Sequence, residues 1–168
     1  MKKITILAAT LLMMAMTAQA QEIEKLLSKY SNDERFTYVS LNADLITSGL
    51  SFIDSKLNNI DKIVKDELLK IKGLKVLTLE SKLASEKKLT EQVITELNNI
   101  IKKDSNSEAF LETRSQGNET KIYATSEGLL IVNKEPKELS IVFLSGELSR
   151  KSIKEFISNI SKQNKKQF

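Results

Sequence analysis

Cysteine, histidine and tryptophan are absent from the 168 residues, proline occurs once, and the five glycines are isolated. Each absence removes chemistry. Without Cys the chain forms no disulfide, thiolate nucleophile, zinc ribbon, iron–sulfur site or thioether haem attachment. Without His it lacks the commonest general base and the commonest transition-metal ligand. No Gly-rich phosphate loop can be assembled from scattered glycines. Carboxylates, Lys, Ser, Thr and three Tyr remain for catalysis. The composition points away from an enzyme, and the sequence offers no catalytic, cofactor-binding or metal-binding set.

What is present begins with a leader pattern. Lys2 and Lys3 precede an uncharged apolar stretch from Ile4 to about Met16, and Ala18-Gln19-Ala20 supplies the small residues a signal peptidase reads. The apolar run is shorter than the roughly 20 residues that span a bilayer, and no second run follows, so a membrane anchor is not expected. Residues 1–20 are read as a signal peptide and the mature chain as Gln21 to Phe168. All four Met lie in the leader, which leaves the mature chain without thioether copper ligands. No Cys follows the apolar run to carry a lipid. The expected product is an exported protein, periplasmic or secreted, and not a lipoprotein.

The basic excess is local. The mature chain carries 24 basic and 22 acidic residues, and from Ser149 onward six basic residues stand against Glu155 alone. The few aromatics are not interleaved with the basic residues, so no nucleic-acid-binding face is expected.

Periodicity divides the mature chain into helices and strands. Ile23, Leu26, Leu27 and Tyr30 mark one face of a short helix, and Phe36 to Leu41 alternates as a strand. Asn42 is placed to cap a short helix with Leu45, Ile46 and Leu50, interrupted at Gly49. Leu57, Ile60, Val64, Leu68 and Ile71 predict a further helix stopped by Gly73, followed by a strand over Leu74 to Leu79. The clearest helix runs from about Lys82 to Lys103 with a stripe of Leu89, Val93, Leu97, Ile100 and Ile101. Four short strands follow, Glu108 to Arg114, Lys121 to Thr125, Leu129 to Asn133 and Glu138 to Leu144. Their Gly-, Asn- and Pro-containing turns imply an antiparallel meander. Leu139, Ile141 and Phe143 face one way and Val142 and Leu144 the other, which places the last strand in the middle of the sheet. A closing helix from near Ser149 carries Ile153, Phe156, Ile157 and Ile160, and the tail 162–168 is expected to fray. Arg150, Lys151 and Lys154 allow that helix to lie on a membrane surface, but docking on the sheet matches the other helices here.

Several constellations have plain structural readings. The acid pairs Asp33-Glu34 and Asp66-Glu67 are adjacent in sequence and do not face each other across a substrate. Ser28-Lys29, Ser55-Lys56, Ser81-Lys82 and Ser161-Lys162 would need a desolvated Lys to act as nucleophile and base. Asn118-Glu119-Thr120 matches a glycosylation acceptor but lies where a hairpin turn is expected. Asp104 to Glu108 is rich in oxygen ligands yet lacks the glycine and terminal-Glu spacing of an EF-hand, so a helix-to-strand loop is expected.

Three stretches, Phe36 to Leu41, Ile71 to Leu77 and Glu138 to Gly146, in this element order resemble the exported Bacteroidetes-type family catalogued as domain of unknown function 4252. The resemblance covers nearly all of the mature chain, implies export and an unassigned role, and transfers no functional residues. Many members look like lipoproteins, a pattern this chain departs from.

The sequence therefore predicts a single α+β domain over 21–161, an antiparallel sheet packed against amphipathic helices. The leading functional expectation is a non-enzymatic cell-envelope interaction or binding module with a protein or peptide partner. A small lipophilic-ligand carrier would require an apolar cavity between sheet and helices. A hydrolase using carboxylates or Ser-Lys would require a pocket around a Lys or Glu of shifted pKa.

Overall fold

The structure is a computed structural model that describes residues 21–54, 69–151 and 153–154. The elements in chain order are α1 (Glu22–Tyr30), β1 (Phe36–Asn42), α2 (Ala43–Asp54), β2 (Ile71–Glu80), α3 (Ala84–Lys103), β3 (Glu108–Ser115), β4 (Asn118–Ala124), β5 (Gly128–Glu135) and β6 (Glu138–Gly146). The strands form one six-stranded antiparallel sheet in the order β1-β2-β6-β5-β4-β3. This is the α+β class the sequence predicts, with the C-terminal strands as a meander and β6 flanked by β2 and β5. The chain leaves β2 through α3 and re-enters the sheet at its far edge, so α3 spans the meander that follows it.

Alternation along the strands builds two different faces. On the helix-covered face, Phe36, Leu77, Leu79, Leu139, Ile141 and Phe143 pack with Leu130 and Val132 against Ile23, Leu26 and Leu27 of α1 and Val93 and Leu97 of α3. Phe143, Ile141, Leu130 and Val93 are fully buried. The two helices are also joined at their rim, where Glu96 accepts from Lys29 Nζ at 2.7 Å and from the Tyr30 hydroxyl at 3.1 Å.

The opposite face is organised in transverse rows. Register carries Val39 to Val76, Val142, Ile131, Ile122 and Leu111, an aliphatic row across all six strands. One step along, the row is Thr37, Thr78, Ser140, Asn133, Thr120 and Thr113, every member a hydroxyl or amide. Thr120 donates to Asn133 at 2.8 Å within it. Near the other end of the strands Ile122, Ala124 and Leu129 form a second core with Ile153, one of the helical residues 150, 151, 153 and 154. Arg150 pairs with Glu108 at 3.1 Å, and Lys154 lies 5.5 Å from the centre of the Phe110 ring. The first turn of the closing segment is thus seated on β3 and β4.

Three boundaries depart from expectation. Ile71 and Gly73 belong to β2 and not to a preceding helix: Ile71 is buried opposite Gly146, and Gly73 sits next to a register shift where an added Cβ would approach Ser145 Oγ at 3.1 Å. The i, i+3 spacing of Leu68 and Ile71 imitated a helix continuing into a strand. Gly49 does not interrupt α2, which runs on to Asp54, and Leu45 points outward at 58% exposure. Asn42 does cap it, accepting the Leu45 amide at 3.0 Å. β4 starts at Asn118, because Gln116 (φ 50°) and Gly117 (φ 85°) make a two-residue turn that pairs Ser115 with Asn118. The leader, the apolar stripe Leu57 to Leu68, Asp66-Glu67, Ser55-Lys56, the later closing-helix positions and the tail lie outside the described residues.

Candidate functional site

The described dipeptides and loops with catalytic overtones make structural contacts. Ser81 and Thr90 are both 4% exposed, and their hydroxyls meet at 2.6 Å. Lys82 turns away to pair with Glu80, and that carboxylate raises its pKa. Lys29 is likewise raised by Glu96. A lysine serving as base for a serine needs the opposite shift. Asp33 pairs with Arg35 at 2.5 Å and is pulled down to about 2 by the guanidinium and the Arg35 amide. The Asp104 loop is tied by its own carboxylate: Oδ1 accepts the Asn106 amide at 2.9 Å and Oδ2 the Ser126 amide at 2.7 Å. Among the described residues no group of three acidic side chains is placed to hold a metal ion. Asn118 is exposed and opens β4, paired with Ser115 just after the two-residue turn, one residue beyond the turn position expected for it.

Two features go beyond this. The first is a cleft of about 250 Å³ lined by Glu22 and Ile23 at the start of α1, Ile101 and Asp104 at the end of α3, and Ser126 and Glu127 in the β4–β5 turn. Thr125 Oγ1 shapes the turn by accepting the Gly128 amide at 3.1 Å. The turn thereby presents Glu127, whose Oε1 accepts the Ile23 amide at 3.2 Å. Gln21 at the helix start makes no side-chain cap, so Glu127 supplies one from a distant strand turn. Burial pushes the Glu127 carboxyl up, against the downward pull of the α1 amides. The positive helix end favours a carboxylate, but here desolvation outweighs it, and Oε2 is buried without a hydrogen-bond partner among the described residues. Nothing in the local sequence marks Glu127, since its partner amide is 104 residues away.

The second feature is the pair of sheet edges. β3 carries Glu108, Glu112 and Arg114 and a register shift between Ala109 and Leu111. Charges and bulges are the devices that keep an edge from pairing with another chain. β1 has neither: Phe36-Thr37-Tyr38-Val39-Ser40-Leu41-Asn42 is free of charge, proline and register shift against β2. Among the described residues no strand pairs with its outer side. Val39, the end of the aliphatic row, is 44% exposed there. The strand was legible from its alternation, whereas its place at an edge is a property of topology.

Comparison with known proteins returns a single finding: the family model for Domain of unknown function (DUF4252) matches residues 30–156, more than half of the chain. No curated protein and no solved structure matches.

Proposed function

The chain belongs to this family of unknown function, and for this member we propose a non-enzymatic role as an exported cell-envelope module that binds a protein or peptide through its sheet edge. The observation that carries the reading is β1, a regular, uncharged seven-residue edge strand without a guarding device. An extended partner segment added there gains main-chain hydrogen bonds along the strand. Side chains beside Thr37, Val39 and Leu41 then set its preference. Export is supported by the leader pattern of residues 2–20.

Two measurements test the proposal. Mass spectrometry of the native protein should find Gln21 at its N-terminus, and an intact Met1 in the cytoplasm would overturn export. A photo-crosslinking residue at Val39 should give protein adducts in the native cell, while the same residue at Thr113 on the guarded edge should not. Absence of adducts at Val39, or equal yields at both edges, would overturn binding at β1.

A hydrolase using carboxylates draws support from one observation, the burial-raised Glu127 in its cleft. A second carboxylate would have to act with it, and Asp104 nearby has both oxygens committed to backbone amides. The interaction reading is therefore preferred.

A further inference from the structure

We propose that Gln21, once the leader is removed, closes on its own N-terminus to give a pyroglutamyl residue, and that this modification seals the start of α1. The inference rests on the cleavage after Ala20 in the export reading above and adds the chemistry of the end that cleavage creates.

Both reacting groups belong to one residue. The α-amino nitrogen of Gln21 attacks Cδ of its own side-chain amide, the Cδ–Nε2 bond breaks, and Nε2 takes a proton from the attacking amine and leaves as ammonia. No oxidant, reductant or further reactant enters. The atoms of the five-membered ring are already joined in one chain, so the attack is intramolecular. An α-amino group is a weaker base than a lysine side chain, and near neutral pH part of it is the unprotonated nucleophile.

The structure leaves these atoms uncommitted. Gln21 is exposed, and its side chain makes no cap hydrogen bond at the head of α1. What ties the residue to the helix is its backbone carbonyl, which accepts the Lys25 amide at 2.9 Å. That oxygen lies outside the new ring, so closure keeps the bond. The Ile23 amide is served by Glu127 and does not need the Gln21 side chain. Closure also removes the charge of the amine, which would otherwise add to the positive end of the helix dipole.

The position of the core gives the seal a purpose. Ile23 is 1% exposed in the main core, and after cleavage only Gln21 and Glu22 would precede it. An aminopeptidase that removed those two and Ile23 would take away a core side chain together with the amide bound by Glu127. A lactam at residue 21 presents no free amine to such an enzyme.

Mass spectrometry of the N-terminal peptide of the native protein tests the modification. The peptide should begin at residue 21, lack a free α-amine and be lighter than its unmodified form by one ammonia. A peptide that begins at Gln21 with a free amine would overturn the modification and leave the cleavage reading standing. A chain that begins elsewhere would overturn both. The sealing role is tested with the purified mature chain after cyclisation and with Gln21→Asn, whose shorter side chain cannot close the same ring. The two should share one circular dichroism spectrum before digestion. The cyclised chain should then resist a broad-specificity aminopeptidase, whereas Gln21→Asn should lose residues through Ile23 and melt at a lower temperature. Equal resistance or equal trimming of the two chains would overturn the sealing role.

Discussion

Glu127 Oε1 accepts the backbone N–H of Ile23 at 3.2 Å, tying the β4–β5 turn to the first turn of α1. Because burial raises its pKa above the ordinary glutamate value, the folded protein holds this proton more tightly than the unfolded chain. Stability from this group is therefore greatest below the ordinary value of 4.5 and falls as pH rises through the folded value. Glu127→Gln keeps an acceptor for the Ile23 amide and removes the titration. Its unfolding free energy should exceed wild type at pH 7 and approach it near pH 4. A variant less stable than wild type at both pH values would show that the carboxylate acts mainly as an ionised cap.

Acid should act on other groups in the opposite direction. Glu96 is held below its ordinary range by Lys29, Glu119 by Lys121, and Asp33 at about 2 by Arg35. Stability from these pairs is present above the ordinary carboxylate range and is lost as pH falls through the lowered values. Denaturant titrations should show wild type losing stability below about pH 4, and Glu96→Gln should flatten part of that loss while leaving the decline assigned to Glu127 unchanged. An unchanged acid limb in Glu96→Gln would remove the Lys29–Glu96–Tyr30 contact from the account of acid stability.

The strand centre gives a larger effect. Phe143 is fully exposed to none of the solvent and packs in the main core, opposite Lys75 on β2 and Leu130 on β5. Phe143→Ala should cost about 3–5 kcal/mol by chemical denaturation. Gly146, three residues on, has φ 149°, and an added Cβ would run into the Lys70 carbonyl oxygen. Gly146→Ala should destabilise by at least about 1 kcal/mol. Phe143→Ala unfolding at the wild-type denaturant concentration would mean that β6 is not central.

The apolar residues of Leu139 to Leu144 made the central strand readable, although the structure buries only Leu139, Ile141 and Phe143 on the helix-covered face and leaves Val142 and Leu144 on the other face partly buried. The stripe of α3 and the turn at Gly117 were readable for equally local reasons. Ile71 was misread because one apolar residue at helical spacing cannot separate a helix from the strand that follows it. The candidate sites were the least visible. Val39 differs from Val142 only in what lies beside it, and Glu127 only in meeting an amide from the other end of the chain. Such facts belong to the pairing order, which no window along the sequence contains.

The two buried hydroxyls give the cleanest test of local packing. Ser81 follows β2 and its amide donates to the Lys137 carbonyl at 2.7 Å, while Thr90 lies on the inner side of α3. Their 2.6 Å contact satisfies two polar groups that the fold withdraws from water. Thr90→Val preserves shape and strands the Ser81 hydroxyl, so it should cost about 1–3 kcal/mol. Ser81→Ala should be comparable, because it strands Thr90 in turn. With both hydroxyls removed no buried polar group is left unpaired, and the double variant should be more stable than the sum of the single losses predicts. A double-mutant cycle by urea denaturation measures the coupling. Strict additivity would show that water reaches one of these hydroxyls, and Ser81 would then mark a solvated corner between β2 and α3.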